Sequence, residues 1–220
     1  MNINDFAEEA CKLAESKGLW ENGGDDLKTV LSLIHCEWSE ALQEARAGRP
    51  MYYHRCYGNE SFEDDACEDE NNSECYYKVN AKEAECGFRG SKPEGIAVEL
   101  VDGIILICSM MHRYGCKFHE YDTDEFIDTV PEKWGVFPLL YIKKMRLPWI
   151  VFYLHELTSK VNANFQKGGV GGTSAALEPL RIAAGLAWIW IETHGLDPEK
   201  ILMEKHKYNQ TREYKHGRKF

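Results

Sequence analysis

The hydrophobic pattern is densest over residues 94–115, EGIAVELVDGIILICSMMHRYG, where apolar side chains recur on nearly every side of a helix instead of along one stripe. A helix of that kind belongs inside a bundle. Two acids interrupt it, because Glu99 and Asp102 lie one turn apart and share a face. Neighbouring carboxylates removed from water repel each other and lose their hydration, which is costly unless a positive charge answers them. No Lys or Arg stands in this helix before Arg113. A bound cation is therefore the simplest compensation.

Helical periodicity appears in five further places. Residues 4–16 carry Phe6, Cys11, Leu13 and Ala14, with a stop at Gly18. Residues 27–47 follow a cap at Asp26 and carry the stripe Leu27, Val30, Leu31, Ile34, Trp38, Ala41 and Ala45, with Gly48 behind it. A helix beginning near Leu139 or Pro148 and running to about Asn164, another over residues 175–194, and a last one from Pro198 to about Tyr208 complete the set. Between the second helix and the central one, residues 49–92 are acidic, rich in Tyr and poor in aliphatics, and read as an insertion, part hairpin and part loop. Residues 167–173, KGGVGGT, look like a phosphate loop only superficially. No strand precedes them and no Gly-Lys-Ser/Thr closes them, so they read as a turn. The fold class expected is all-α.

Composition narrows the function. The chain has 220 residues and a formal net charge of −10, which argues against a nucleic-acid partner. A single anionic nucleotide stays open, since a local metal inverts the field around it. No apolar run approaches the roughly 20 residues of a membrane span, and the first residues lack the layout of a signal peptide, so no membrane partner and a cytoplasmic location are expected. The eight Cys then read as thiols. Cys56, Cys67, Cys75 and Cys86 fall in the insertion, but no pair has the close spacing of a structural zinc site.

The stripe of the second helix is flanked by Glu37, Glu40 and Glu44. Alone, such a row is an ordinary solvated face. Set beside Glu99 and Asp102 it gains meaning. With the two helices antiparallel, E-x-x-E at Glu37/Glu40 and E-x-x-D at Glu99/Asp102 bring carboxylates from adjacent turns into one groove. An all-oxygen, net-negative set of this kind suits Mg²⁺, or Mn²⁺ in its place. Trp20 has two readings, a ring stacked on a base or a ring packing a loop. The Lys and Arg residues after residue 204 either face a polyphosphate or answer the dipole at a helix C-terminus.

These motifs resemble the MazG family of all-α nucleoside triphosphate pyrophosphohydrolases. LSLIHCEWSEALQEARAGRP is similar to the family's first metal helix, KPEGIAVELVDGII to its second, and KHKYNQTREYKHGRKF to its closing segment. The resemblance implies a MazG-like helical bundle that hydrolyses nucleoside triphosphates to monophosphate and pyrophosphate. Glu37, Glu40, Glu99 and Asp102 would hold Mg²⁺. Lys205 and Arg212, with Arg46 a further candidate, would bind phosphates, and Asn209 would donate to phosphate or sugar. The base would lie between the first two helices within reach of Trp20. Two alternatives are open: hydrolysis of another pyrophosphate-linked nucleotide such as phosphoribosyl-ATP, and a catalytically silent nucleotide- or metal-binding protein.

The chain departs from the family in its 49–92 insertion and in residues 116–196, which separate the metal helices (1–115) from the closing helix and basic tail (197–220). LPWIVFYLHELTSKV and LRIAAGLAWIWIETHG repeat the rhythm of the two metal helices without their paired acids. They read as a degenerate second repeat that packs on the first as a partner subunit would. The family's tendency to dimerise makes a homodimer one open assembly, and an internal repeat would replace one of its contacts.

Overall fold

The computed structural model describes residues 1–21, 26–55, 92–118, 142, 144–168 and 173–213. Among them lie α1 (Ile3–Ser16), α2 (Asp26–Arg46), β1 (Tyr53–Arg55), β2 (Lys92–Glu94), α3 (Ile96–Arg113), α4 (Leu147–Gly168), α5 (Thr173–Thr193) and α6 (Pro198–Thr211). The described fold is helical apart from one short antiparallel ribbon, which pairs Tyr53 with Glu94, His54 with Pro93 and Arg55 with Lys92. No described helix is long and apolar enough to cross a membrane.

The all-round apolar character of α3 has its expected consequence. The helix packs against α1, α2, α5 and α6 together, and only Asp102, Leu106, His112 and Arg113 along it are not buried. It begins two residues later than expected, because Glu94 belongs to β2. Gly95 makes that corner. Its φ is +113°, and a Cβ there would fall 2.8 Å from the carbonyl oxygens of both Pro50 and Met51. Only glycine fits such a backbone. The close approach lets the Ala97 N–H donate to the Met51 carbonyl at 2.9 Å, which satisfies one open donor at the start of α3.

Helices α2 and α3 run antiparallel in close contact. Gly103 lies flat against the Trp38 ring, where an added Cβ would sit 2.3 Å from a ring carbon. Trp38 is fully buried. Its indole N–H donates to Thr158 Oγ1 at 3.0 Å, and the Thr158 hydroxyl donates to the Leu154 carbonyl at 2.7 Å. This chain of bonds joins α2 to α4. A second link is the His35–His155 pair, with Nδ1 atoms 2.8 Å apart. Ring centroids 5.1 Å apart in planes inclined by 12° put the two imidazoles edge to edge, so that one Nδ1–H donates to the other Nδ1.

The segment expected to repeat the metal helices forms two long helices that pack on each other, α4 also lying on α2 and α5 on α3. Helix α4 continues to Gly168, past the end expected near Asn164, and takes in the first residues of the expected Gly-rich turn. Residues 169–172 lie outside the described residues, as do 56–91 of the insertion with Cys56, Cys67, Cys75 and Cys86, and 119–141. The base of the insertion is the β1–β2 ribbon, which answers the expected hairpin in part. Cys11, Cys36, Cys108 and Cys116 are free thiols. Helix α6 opens as the sequence suggests, with the Asp197 side chain accepting from the Lys200 N–H and Pro198 in the first turn.

Candidate metal centre and its cleft

Antiparallel packing turns the two acidic motifs into a ladder. Rising along α2 from Glu37 through Glu40 to Glu44 corresponds to descending from Asp102 and Glu99 on α3 to Glu94 at the end of β2. Carboxylate oxygens of Glu37, Glu40 and Glu99 all lie within 4.8 Å of one another. In an octahedral Mg²⁺ shell with bonds of about 2.0–2.1 Å, opposite ligands stand about 4 Å apart, so a small contraction would seat an ion. Glu99 is buried and Glu40 is exposed, so the trio opens to solvent on one side.

The ends of the ladder are compensated and the middle is not. At one end Lys205, itself 2% exposed, places Nζ 2.8 Å from Asp102 Oδ2. At the other, Lys92 Nζ stands 2.6 Å from Glu94 Oε1, and the Tyr53 phenol lies 3.0 Å from Glu44 and 3.1 Å from Glu94. Among the described residues no Lys or Arg forms an ion pair with Glu37, Glu40 or Glu99. The electrostatics respond accordingly. Burial, then the charges of Asp102, Glu40 and Glu99, push the Glu37 carboxyl up to about 9 against the opposing pull of Lys205. Burial and Asp102 push Glu99 up to about 7, with Lys205 and Lys92 opposing. Near neutral pH and without a cation, Glu37 holds a proton that a metal would displace.

Beside the acids lies a cleft of about 200 Å³ between α1, α2, α3 and α6. Glu37 and Asp102 line one part of it. Its walls include Ala10, Leu13, Leu33, Ile105 and Leu106, and its lining also holds Ser109, Lys17, Asn209 and Arg212. Lys17 Nζ donates to the main-chain carbonyls of Gln210, at 3.2 Å, and Arg212, tying the end of α6 to α1. Asn209 Oδ1 is buried without a hydrogen-bond partner. The chain has no match among protein-family models, curated proteins or solved structures.

Several expected site residues take other places. Lys205 does not line the cleft. It is the internal counter-charge of Asp102, with Nζ 5.8 Å from the Tyr208 ring centre, so it is already engaged where a phosphate ligand was expected. Asp102 correspondingly stands outside the convergent trio. Trp20 follows its packing alternative. It is 8% exposed, its indole N–H donates to Ser109 Oγ at 3.1 Å, and it does not line the cleft. Arg46 ends α2, whereas the cleft takes Thr29, Leu33 and Glu37 from that helix. Asn209 and Arg212 do line the cleft, although Asn209 presents an open acceptor where a donor was expected. Lys17 and Ser109 were not anticipated. A Lys ahead of a helix-ending Gly and a Ser in an apolar helix carry no local signal of a shared cleft.

Proposed function

We propose that this chain is a Mg²⁺-dependent, MazG-like hydrolase of nucleoside triphosphates, deoxy or ribo, that yields monophosphate and pyrophosphate. The observation that carries the reading is the uncompensated middle of the acid ladder, Glu37, Glu40 and Glu99, opening beside a largely apolar cleft with Asn209 and Arg212 in its lining. Those three carboxylates would hold the ion, with Mn²⁺ an adequate substitute, and Asp102 would take part on release from Lys205. When bound, Mg²⁺ supplies charge neutralisation and lowers the proton affinity of water.

The chain's own residues do the rest. The Arg212 guanidinium offers a planar fork of N–H donors for a phosphate. The Lys17 bonds to the main chain hold the end of α6, and with it Arg212, over the cleft. Asn209 Oδ1 accepts a hydrogen bond from a sugar hydroxyl or a base amine. The apolar walls exclude water from the base, where every polar contact then counts for more. A trio carboxylate that holds the ion through one oxygen would serve through its other oxygen as general base for the attacking water.

The test is a panel of nucleotides, phosphoribosyl-ATP included, assayed for pyrophosphate with and without Mg²⁺. Mg²⁺-dependent pyrophosphate release is expected, and Glu40→Gln should lower it at least about a hundredfold. Nucleoside diphosphate and orthophosphate as the only products would overturn the proposed cleavage position. The Lys205–Asp102 ion pair favours a second reading, a silent nucleotide- or metal-binding protein, because it takes one of the four expected acids out of use. Binding of a non-hydrolysable triphosphate with Mg²⁺, without turnover of the natural one, would decide for that reading.

A further inference from the structure

The acid trio depends on the spacing of α2 and α3, because its three carboxyl groups must stand close enough to share one ion. We infer that Tyr53 is a positioning residue for the metal centre, its phenol fixing the distance between α2 and α3 one turn beyond Glu40. Three observations support this. Tyr53 is 2% exposed and stands opposite Glu94 in the ribbon, so its ring is fixed by packing and by strand register. Its oxygen lies 3.0 Å from Glu44 Oε2 on α2 and 3.1 Å from Glu94 Oε2 at the entry to α3. The single phenolic proton bonds one carboxylate at a time, and donated to Glu44 it ties α2 to the ribbon that leads into α3. Lys92 adds positive charge on the far side of Glu94, and that charge acts on Glu99 as well. The same ribbon reaches α6, where the Tyr52 hydroxyl donates to Glu204, the neighbour of Lys205. One short ribbon thus sets the relative positions of the helices that carry the acids and of the lysine that answers Asp102.

This inference rests on the proposed metal-dependent hydrolase. Tyr53→Phe keeps the ring and removes only the O–H. Tyr53 touches none of the three proposed ligands and acts through the spacing of the helices, so its loss belongs at the low end of the roughly 10–100-fold effect of outer partners on metal affinity. Tyr53→Phe should therefore raise the Mn²⁺ half-saturation by about tenfold, followed by electron paramagnetic resonance. It should also lower kcat while leaving KM for the triphosphate almost unchanged and the circular dichroism spectrum native. Glu44→Gln, which keeps an acceptor for the phenol, should stay close to wild type. Should Tyr53→Phe fail to fold, Lys92→Met carries the same expectation. Wild-type Mn²⁺ binding with an unchanged Tyr53→Phe would overturn this inference alone. A wild-type protein that binds no Mn²⁺ would remove both this inference and the reading beneath it.

Discussion

At the scale of the residue, the candidate metal centre depends on how a carboxylate is tolerated inside α3. Glu99 and Asp102 differ by three positions in sequence, yet they meet different fates. Asp102 is answered by Lys205, while Glu99 faces Glu37 and Glu40. Removing the lysine should expose the difference. Lys205→Met leaves Asp102 without its partner, and breaking a largely buried pair costs about 3 kcal/mol. Chemical denaturation should show that loss, and an unchanged midpoint would mean that water already serves Asp102. Glu40→Gln should cost little stability, because Glu40 is exposed, while weakening divalent-cation binding at least about tenfold in a metal titration. The three-residue spacing of Glu37 and Glu40, and of Glu99 and Asp102, made each pair legible in the sequence, since helical geometry puts each pair on one face; that the two faces meet required antiparallel packing of the helices. The engagement of Lys205 was not legible. It joins residues 103 positions apart, and no periodicity encodes which helix a closing segment will meet.

At the scale of the element, the close approach of α2 and α3 depends on one glycine. Gly103 leaves room for the Trp38 ring, and a methyl group there would stand 2.3 Å from it. Gly103→Ala should destabilise the protein by about 2 kcal/mol, since overpacking a rigid ring forces a backbone shift. The same shift would separate Glu37 and Glu40 from Glu99 and should weaken cation binding too. Retention of both stability and affinity would show that the ring has space to move. Helix existence was readable throughout, because apolar stripes and Gly or Pro stops follow from local chemistry. Element ends were less so. Helix α4 runs into the expected glycine turn, and Glu94 is drawn into a strand by pairing with Tyr53 across the insertion. That pairing links positions 41 residues apart and leaves no local trace.

At the scale of the whole molecule, the metal centre couples to pH. Glu37 and Glu99 hold protons more tightly in the folded chain than their ordinary value of 4.5 allows. Their contribution to stability is complete below 4.5 and is lost as pH rises through about 7 for Glu99 and about 9 for Glu37. Metal-free protein should therefore lose on the order of 2 kcal/mol between pH 7 and 9, over and above any background from other groups. Saturating Mg²⁺ should remove most of that slope, since an ion replaces the proton as the compensating charge. An identical slope with and without Mg²⁺ would place the titrating groups elsewhere. Helix α4 packs on α2 and α5 on α3, and among the described residues the convergent acids are carried by α2 and α3.

The most direct test is a Mn²⁺ titration of the wild-type chain and of Glu99→Gln at pH 8, followed by electron paramagnetic resonance. Glu99 lies at the heart of the trio, and its replacement keeps the side-chain shape while removing one ligand charge. Saturable Mn²⁺ binding to the wild type, lost or weakened at least about a hundredfold in Glu99→Gln with native circular dichroism, is the result this account predicts. Equal Mn²⁺ binding by the two proteins, or none by either, would contradict it.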